Sequence, residues 1–173
     1  MRKEPLLMTN RLILRPIMAK DLNAMWKWVS DERVTKYLTY ATYKKKNDLK
    51  NYIANLKKDD KFYTFGIVLK DNNELIGSIG CGYSEVHKAW NFGYNICYEQ
   101  WGKGITTEAF KRLIEYAHDN LNAHDFCVYH AVENIGSQKV IQKCGFKYVG
   151  EISYEKLDKS ASFKASFYRL HLE

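Results

Sequence analysis

Two glycines enclose a lysine immediately before a helix-forming segment, in the stretch EQWGKGITTEAF at residues 99–110. Glycine loses more conformational freedom on folding than any other residue, so a pair at this point indicates a backbone shape that other residues rarely adopt. The first turn of a helix presents unpaired N–H groups at the positive end of the helix dipole, and such groups hold anions. The segment therefore predicts a phosphate-binding turn at the head of a helix.

Two familiar phosphate motifs are excluded by their spacing. A P-loop requires a glycine five residues before Gly102, and that position is Cys97. A dinucleotide fingerprint requires a third glycine at the position of Thr107. That fingerprint also opens an alternating β-α sheet, whereas this turn follows three consecutive strand-like runs. A nucleoside triphosphate or a nicotinamide cofactor is therefore disfavoured.

The apolar pattern predicts one domain over residues 1–173 with a mixed α/β (α+β) fold. Both prolines lie near the N-terminus and no Gly- or Ser-rich linker marks a domain boundary. Patterns of period two and period 3.6 give the element order β-α-α-β-β-β-α-β-α-β-β. Three strands between residues 62 and 98 are joined by short turns, which is typical of an antiparallel meander. This order builds a mixed sheet with helices packed on its faces.

The boundaries follow from the same periodicity. The predicted strands are 11–17, 62–69, 75–83, 90–98, 126–132, 148–154 and 163–172. Two early helices begin near Leu22, with Asp21 as the cap, and near Asn47. Two later helices cover 106–119 and 137–143, the second of them ended by Gly145.

The composition predicts a globular cytoplasmic protein that does not contact membranes. Hydrophobic residues make up 46% of the chain, and no apolar run approaches the ~18 residues that a membrane span needs. The apolar run near the N-terminus is too short and too interrupted for a signal peptide. The four cysteines, which are far apart and form no C-x-x-C pair, predict buried free thiols rather than a metal site: Cys81, Cys97, Cys127 and Cys144.

The net charge of +7 suits an anionic partner. The densest basic run begins at residues 44–46 and continues to Lys50, Lys57 and Lys58, with aspartates between. Charge runs of this kind are typical of a solvated helical face, which is the interpretation we favour. Binding to RNA or to a ribosome is the alternative that the run leaves open.

The tract from Trp101 to Thr106 resembles the acyl-CoA pyrophosphate loop of the GNAT acetyltransferases, which usually reads Gln/Arg-x-x-Gly-x-Gly/Ala. Gly104 fills the central glycine, whereas Trp101 and Thr106 replace the first and last residues. The sequence WGKG followed by TEA is closer to the branch related to the ribosomal-protein N-terminal acetyltransferases RimJ and RimL. Three further landmarks resemble that branch in the same order: TNRLILRP at 9–16, FGY at 92–94, and NIGS with KCGF at 134–146.

This resemblance implies acetyl-CoA as the cofactor and a GNAT-like, mostly antiparallel sheet. Backbone N–H groups from Gly102 to Thr107 would surround the pyrophosphate, and Lys103 would add positive charge. The strand at 95–98 would pair with the pantetheine arm, and an N–H of Ile96 or Cys97 would polarise the thioester carbonyl. No metal is expected. The implied cofactor-binding set is Ile96, Cys97, Tyr98, Trp101, Gly102, Lys103, Gly104, Ile105, Thr106, Thr107 and Asn134.

The resemblance also places Asn91 at the position of a general base. Many members of the branch carry a glutamate just before the Gly-Tyr of this strand, and this chain has Asn91 there. An amide cannot accept a proton, but it can hold a water in line with the acceptor. Glu85 and His87, on the preceding turn, are the alternative bases by sequence, and a plain surface role explains either of them.

Ser137 is the candidate proton donor to the leaving thiolate. Many GNAT enzymes use a tyrosine in the helix after Asn134, but the corresponding residue here is Ile141. In the RimL-like branch a serine near the start of that helix takes this role, and Ser137 matches it. On local grounds alone, Asn134 and Ser137 are also good helix caps. Likewise, the spacing of Glu108 and Arg112 predicts an ordinary surface ion pair.

The leading hypothesis is an acetyl-CoA-dependent N-acetyltransferase that modifies a primary amine. A protein N-terminal α-amine is the acceptor that the resemblance implies, which also suggests association with a ribosome. The alternatives are a small amine such as a polyamine or an antibiotic, a CoA-binding protein without turnover, and an RNA- or ribosome-binding module. Acceptor specificity is expected in the two early helices and the final hairpin. A homodimer is compatible with the sequence.

Overall fold

A computed structural model describes residues 5–56 and 58–173 of the chain. The described residues form eight strands and five helices. The strands are β1 Leu7–Met8, β2 Leu12–Pro16, β3 Phe62–Leu69, β4 Leu75–Ser84, β5 Ala89–Ile96, β6 Asp125–Ala131, β7 Lys147–Glu155 and β8 Ser162–His171. The helices are α1 Leu22–Val29, α2 Glu32–Thr35, α3 Lys46–Leu56, α4 Ile105–Leu121 and α5 Ile135–Lys143.

All eight strands belong to one sheet with the order β1-β2-β3-β4-β5-β6-β8-β7. Neighbouring strands are antiparallel except β5 and β6, which are parallel. The predicted fold class and the meander of β3, β4 and β5 are therefore confirmed. The predicted element order was wrong in omitting β1 and α2, because two and four residues are too few to show a period.

Helices cover both faces of this sheet. Every residue of β4 from Leu75 to Gly82 is buried, and successive side chains of a strand point to opposite faces. Helices α1 and α4 both contact β4. The largest fully buried side chains come from separate elements and meet in one core, among them Trp28, Phe65, Phe110 and Phe126. None of the helices in the described part of the chain has the length and apolar character needed to cross a membrane.

Strands β5 and β6 diverge soon after they meet. Strand β5 pairs with β4 from Ala89 to Ile96, but it pairs with β6 only at Trp90 and Asn91. From Phe92 onward the β6-facing edge of β5 therefore borders a wedge-shaped gap. Helix α4 begins shortly after β5 ends, so the glycine turn lies at the mouth of this gap.

The basic run is partly neutralised by its own neighbours. Lys44 forms a 2.9 Å ion pair with Glu32, and Lys46 donates to Asn23 Oδ1 at 3.0 Å. Lys45, Lys50 and Lys58 are exposed, and Lys57 lies outside the described residues. The predicted solvated surface accounts for the described part of the run.

Asp21 occupies the N-cap position of α1 as predicted, but its carboxylate does not cap the helix. It is buried and accepts hydrogen bonds from Arg15 Nη1 at 2.7 Å, from Arg15 Nη2 at 2.9 Å and from the Met18 N–H at 2.7 Å. Burial alone would raise the pKa of Asp21, but the Arg15 and Met18 bonds hold it below its ordinary value. This ion pair fixes the connection between β2 and α1.

Replacing Asp21 with Asn should destabilise the protein by about 2–3 kcal/mol at pH 7, because the largely buried Arg15 guanidinium loses its counter-ion. The lowered pKa stabilises the fold above the unfolded value of 3.8, and this contribution is lost as the pH falls through the folded pKa. Urea unfolding of both proteins at pH 7 and pH 3 measures the difference, which should shrink at pH 3. The exposed Asp71→Asn serves as the control, and an equal effect of the two substitutions would contradict the assignment.

Candidate active site

The backbone of the glycine turn explains both glycines. Gly102 and Gly104 have φ angles of +75° and +74°, in the left-handed region that side chains disfavour. Gly104 is the N-cap of α4, and its carbonyl accepts the first helical bond from Glu108 at 3.1 Å. The N–H groups of residues 105–107 precede that bond and have no acceptor within the helix. Residues 102–104 are exposed, so an anion can approach these amides from solvent.

Arg11 of the segment before β2 ties this turn to α4. Its Nη1 donates to the Lys103 carbonyl at 3.0 Å, and its Nε lies 2.6 Å from Glu108 Oε2. Glu108 Oε1 also accepts from the Arg11 N–H at 2.9 Å and from Thr9 Oγ1 at 2.5 Å. Burial favours a raised pKa for Glu108, but these hydrogen bonds hold it below its ordinary value. The turn is therefore braced by contacts within the chain itself.

The predicted ion pair between Glu108 and Arg112 is wrong. Glu108 turns toward Arg11, while Arg112 lies 3.6 Å from Glu115, one helical turn further along. The helical spacing of Glu108 and Arg112 permits an ion pair but does not require one. The N-terminal segment offers Glu108 two further hydrogen bonds, from Thr9 Oγ1 and from the Arg11 N–H, that a solvent-exposed pair lacks.

Trp101 covers one backbone group on the free edge of β5. Its indole Nε1 donates to the Ile96 carbonyl at 3.1 Å, and its ring lies 4.9 Å from that of Tyr98. The Arg33 guanidinium of α2 lies 3.9 Å from the centre of the Tyr98 ring. Lys103 remains exposed, with its ammonium 3.2 Å from Gln100 Oε1. Trp101 thus makes an aromatic contact with Tyr98 and a hydrogen bond to Ile96, neither of which the sequence predicted.

The prediction of an N–H from Ile96 or Cys97 is narrowed to Ile96 by the hydrogen bonds of the sheet. The Cys97 N–H donates to the Ile76 carbonyl of β4 at 2.8 Å, so it is already used. Consecutive N–H groups of a strand point to opposite edges, which directs the Ile96 N–H toward the gap. Burial raises the pKa of the Cys97 thiol to about 11, so this side chain stays protonated.

Ser137 and Tyr94 form a hydroxyl pair on the α4 side of β5. The Tyr94 hydroxyl lies 2.7 Å from Ser137 Oγ, and burial raises the pKa of Tyr94 well above its ordinary value. Asn134 Oδ1 accepts from the Ser137 N–H at 3.1 Å, so Asn134 is the cap of α5 that its residue type predicts. Sequence reasoning gave Tyr94 no role, although its alternation with Phe92 could have placed it on this face.

Asn91 lies on the opposite face of β5. Phe92 and Tyr94 contact Phe110 of α4 at 4.8 Å and 5.3 Å between ring centres, and Asn91 alternates away from them. There Asn91 Oδ1 accepts from the Cys127 thiol at 3.9 Å, and burial raises the pKa of Cys127 to about 11. The two predicted catalytic residues, Asn91 and Ser137, therefore border the strand from different sides.

The two alternative bases have ordinary structural partners. Glu85 forms an exposed 3.0 Å ion pair with Lys88 on the turn between β4 and β5. The His87 ring packs 4.8 Å from that of Phe167, and its carbonyl accepts from Arg169. A surface role explains Glu85, whereas His87 lies against the same sheet face as Asn91.

That face carries a row of aromatic rings that we call the aromatic wall. It consists of Tyr129 of β6, Tyr154 of β7, Phe163 of β8 and Tyr37 from the segment after α2. Tyr154 lies 5.2 Å from both Tyr129 and Phe163, and Tyr37 lies 5.6 Å from Phe163. The Tyr154 hydroxyl also donates to the Tyr37 carbonyl at 2.6 Å. By contrast Trp28 is entirely buried in the core. The sequence does not show which aromatic residues are buried in the core and which line a surface. In the structure Tyr37 belongs to the aromatic wall and Trp28 to the core.

Lys156 joins the aromatic wall to the end of α2 and to the segment that follows it. Its buried ammonium donates to the carbonyls of Thr35, Leu38 and Tyr40 at 2.7, 2.9 and 3.1 Å. Burial lowers the pKa of Lys156, and the three carbonyls satisfy all of its donors. No sequence pattern indicated this residue, because a lone lysine in a hairpin is usually exposed.

Comparison with known proteins gives a consistent result. A family model described as "Acetyltransferase (GNAT) domain" matches residues 11–147. The chain is 31% identical over 146 residues to the uncharacterized N-acetyltransferase YnaD of Bacillus subtilis (strain 168), with 82% of each protein covered. It is 29% identical over 157 residues to the uncharacterized N-acetyltransferase p20 of Bacillus licheniformis, with 87% of each covered.

Solved structures share the fold at lower sequence identity. A GNAT-family acetyltransferase from Bacillus anthracis superposes with a TM-score of 0.85 at 20% identity, covering 96% of this chain and 98% of that one. A Salmonella typhimurium enzyme that modifies the N-terminal serine of ribosomal protein L7/L12 gives 0.82 at 16% identity, covering 98% and 100%. Spermidine N-acetyltransferase from Vibrio cholerae, solved with CoA and spermine, gives 0.80 at 21% identity, covering 94% and 96%.

Replacing Arg11 with Met should weaken coenzyme A binding about three- to tenfold, because the Lys103 carbonyl and the Glu108 carboxylate lose their shared donor. Titration calorimetry measures the affinity. Arg112→Met, which removes a surface ion pair within α4, is the matched control and should leave the affinity unchanged. Equal affinities for all three proteins would show that Arg11 does not brace the turn.

Proposed function

This chain belongs to the GNAT acetyltransferase family, and from that premise we propose that it acetylates the α-amine of a protein N-terminus. Acetyl-CoA supplies the activated acetyl group. The observation that carries the choice of acceptor is Asn91, an amide where a base would be expected on the acceptor face. Without a carboxylate there, an amine that is already partly neutral is the better substrate.

The acid–base properties of amines favour an α-amine. At pH 7.4 an α-amine with a pKa of ~7.8 is about one quarter neutral, whereas a lysine-type amine with a pKa of ~10.4 is about 0.1% neutral. Polyamine nitrogens resemble the second case. A water held by Asn91 is therefore sufficient to carry away the proton of an α-amine, while a strongly basic amine needs a stronger base.

The glycine turn is suited to the pyrophosphate of the cofactor. Gly102 has open space where a side chain would project, so a phosphate can approach its backbone closely. The N–H groups from Gly102 to Thr107 would hold the negative charge, with Lys103 beside them. Tyr98 and Trp101 are exposed aromatic residues beside this turn, and Asn134, the cap of α5, stays a predicted contact of the cofactor.

The free edge of β5 is suited to the pantetheine arm and the thioester. The Ile96 N–H would donate to the carbonyl oxygen and stabilise the negative charge that develops there during attack. Attack comes from the Asn91 face, and the sulfur departs toward the Ser137 face. The Ser137 hydroxyl would protonate the leaving sulfur, with Tyr94 orienting that hydroxyl through the 2.7 Å contact.

Two neighbouring proteins support different acceptors. The Salmonella enzyme modifies an N-terminal serine of a ribosomal protein, and the Vibrio enzyme was solved with spermine. The net charge of +7 repels a polycation over long range, which favours the first acceptor class. We also assign the reaction to the cytoplasm, because all four cysteines are free and buried. Transient contact with the ribosome follows if a ribosomal protein is the acceptor.

Replacing Gly104 with Val should abolish the rise in melting temperature that coenzyme A produces, because a branched side chain resists the left-handed backbone at the anion site. Differential scanning fluorimetry with and without 1 mM ligand, about a hundredfold above a 10 μM Kd, would show the shift. Gly145→Val introduces the same branched residue at a positive φ of 88°, just after the C-terminal end of α5. That control should retain the shift, and retention by both variants would refute the site.

Replacing Ser137 with Ala should lower kcat about tenfold to a hundredfold while changing coenzyme A affinity less than twofold, because the leaving sulfur loses its proton donor. Tyr94→Phe should produce a smaller loss in the same direction. Thiol release with N-terminal peptides measures kcat, and the exposed Ser153→Ala is the control. Unchanged turnover in Ser137→Ala would remove this residue from the mechanism.

A further inference from the structure

The acceptor face of β5 has an open floor between two asparagines. Asn91, Gly93 and Asn95 alternate onto this face, and an added Cβ at Gly93 would meet nothing within 4 Å. On the neighbouring strand the Phe62 ring covers Gly80 and Gly82, where an added Cβ would lie 2.4 Å and 2.6 Å from ring atoms. The exposed backbone at Gly93 is therefore bordered by an aromatic ring on one side and by an amide at each end.

Ser78 sets the orientation of the amide at Asn95. The Ser78 hydroxyl, largely buried on β4, donates to Asn95 Oδ1 at 3.0 Å, and the two residues are direct partners in the β4–β5 register. The oxygen of this amide is thus occupied. Its nitrogen, which carries two N–H donors, is the end that a bound molecule can use. Asn95 is also the residue immediately before Ile96.

The donors on this face require an oxygen acceptor on the bound molecule. The two N–H groups of the Asn95 amide are such donors. Arg169 pairs in register with Cys127 and therefore lies at the Asn91 end of the face, where its guanidinium already donates to the His87 carbonyl. The Asn95 amide is thus the donor that a molecule bound at the other end of the face can use.

We propose that Asn95, oriented by Ser78, selects acceptors in which the carbon that bears the reacting amine also bears a carbonyl group, as in a peptide N-terminus. The inference rests on the proposed function and assigns the residue that defines its substrate class. An α-aminoacyl group has about 3 Å between its amine nitrogen and its carbonyl oxygen, and one residue of a strand spans about 3.3 Å. An amine placed at the thioester beside Ile96 therefore brings its own carbonyl within reach of the Asn95 amide.

A polyamine lacks this complementarity. It offers only N–H donors and positive charges, so the Asn95 nitrogen would face it without an acceptor. A donor that is desolvated and left unpaired lowers affinity by a factor of about ten to a hundred. The Asn95 amide therefore discriminates between N-terminal peptides and polyamines, the two acceptor classes found among proteins of this fold.

The test compares two acceptors that differ by one carbonyl group. Each acceptor is assayed with two proteins that differ by one side-chain amide. The acceptors are seryl-alanine amide and its analogue with CH2 in place of the first carbonyl, with spermidine as a third acceptor. The proteins are wild type and Asn95→Ala, and the readout is kcat/KM for thiol release. The double cycle cancels the intrinsic difference in basicity between the two amines.

We expect removal of the carbonyl to reduce kcat/KM about tenfold more in wild type than in Asn95→Ala. Ser78→Ala, which releases the amide orientation, should reduce the same ratio by a smaller factor. Asn95→Asp, which replaces the donor by an acceptor, should increase the relative rate with spermidine. Coenzyme A affinity should stay within twofold for each variant, and the exposed Asn51→Ala is the control for ordinary asparagine loss.

Two results would overturn the inference while leaving the enzyme assignment intact: an equal effect of the carbonyl in wild type and Asn95→Ala, or faster turnover of spermidine than of the peptide by wild type. If turnover is too slow to measure, calorimetric binding of the two matched acceptors to the coenzyme A complex gives the same ratio, and no discrimination there also overturns it. Failure to bind coenzyme A at all would instead overturn the proposed function, and this inference with it.

Discussion

Strand β5 is paired along its whole length on one side and at only two residues on the other. A buried strand normally satisfies both of its edges, because an unpaired backbone group away from water is costly. Here the edge from Phe92 to Ile96 is kept available for hydrogen bonding to a ligand that resembles a peptide. One of its carbonyls is covered by the Trp101 indole at 3.1 Å. The divergence of β5 from β6 is thus the condition for a cofactor arm to enter the sheet.

The alternation of β5 then divides the chemistry between its two faces. Tyr94 points to α4 and meets Ser137, whereas Asn91 points to the aromatic wall of β6, β7 and β8. In the proposed reaction an amine and a leaving sulfur would therefore occupy different sides of one carbonyl. The same arrangement would keep Ser137, the proposed proton donor, apart from the water that we propose for the amine.

Regular periodic segments were predictable, and long-range partners were not. The strand at 62–69 was predicted with the observed bounds, because its pattern extends over eight residues. The two glycines were predictable as a constrained turn before a helix, although their positive φ angles are a fact of the structure. The partner of Glu108 was wrong, since Arg11 lies 97 residues away and a helical spacing offered a local substitute.

The features of the site that the sequence did not predict have the same cause, which is that their partners lie far along the chain. Cys97 and Ile96 are equivalent in sequence, and only the bond from Cys97 to Ile76 shows which of the two N–H groups is used by the sheet. Tyr94 and Lys156 gain their roles from residues far along the chain, Ser137 in one case and the carbonyls after α2 in the other. A pattern read along the chain identifies what each residue can do, but its partner is set by tertiary packing.

Contacts between the acceptor side and the cofactor turn form one continuous path. Arg33 of α2 lies over Tyr98, Tyr98 packs on Trp101, and Trp101 holds the last carbonyl of β5. The segment after α2 is in turn fixed to the β7–β8 hairpin by Lys156. A ligand that displaces the Trp101 indole from Ile96 therefore alters a contact of α2. The geometry joins occupation of the strand edge to the position of the aromatic wall through stacked side chains.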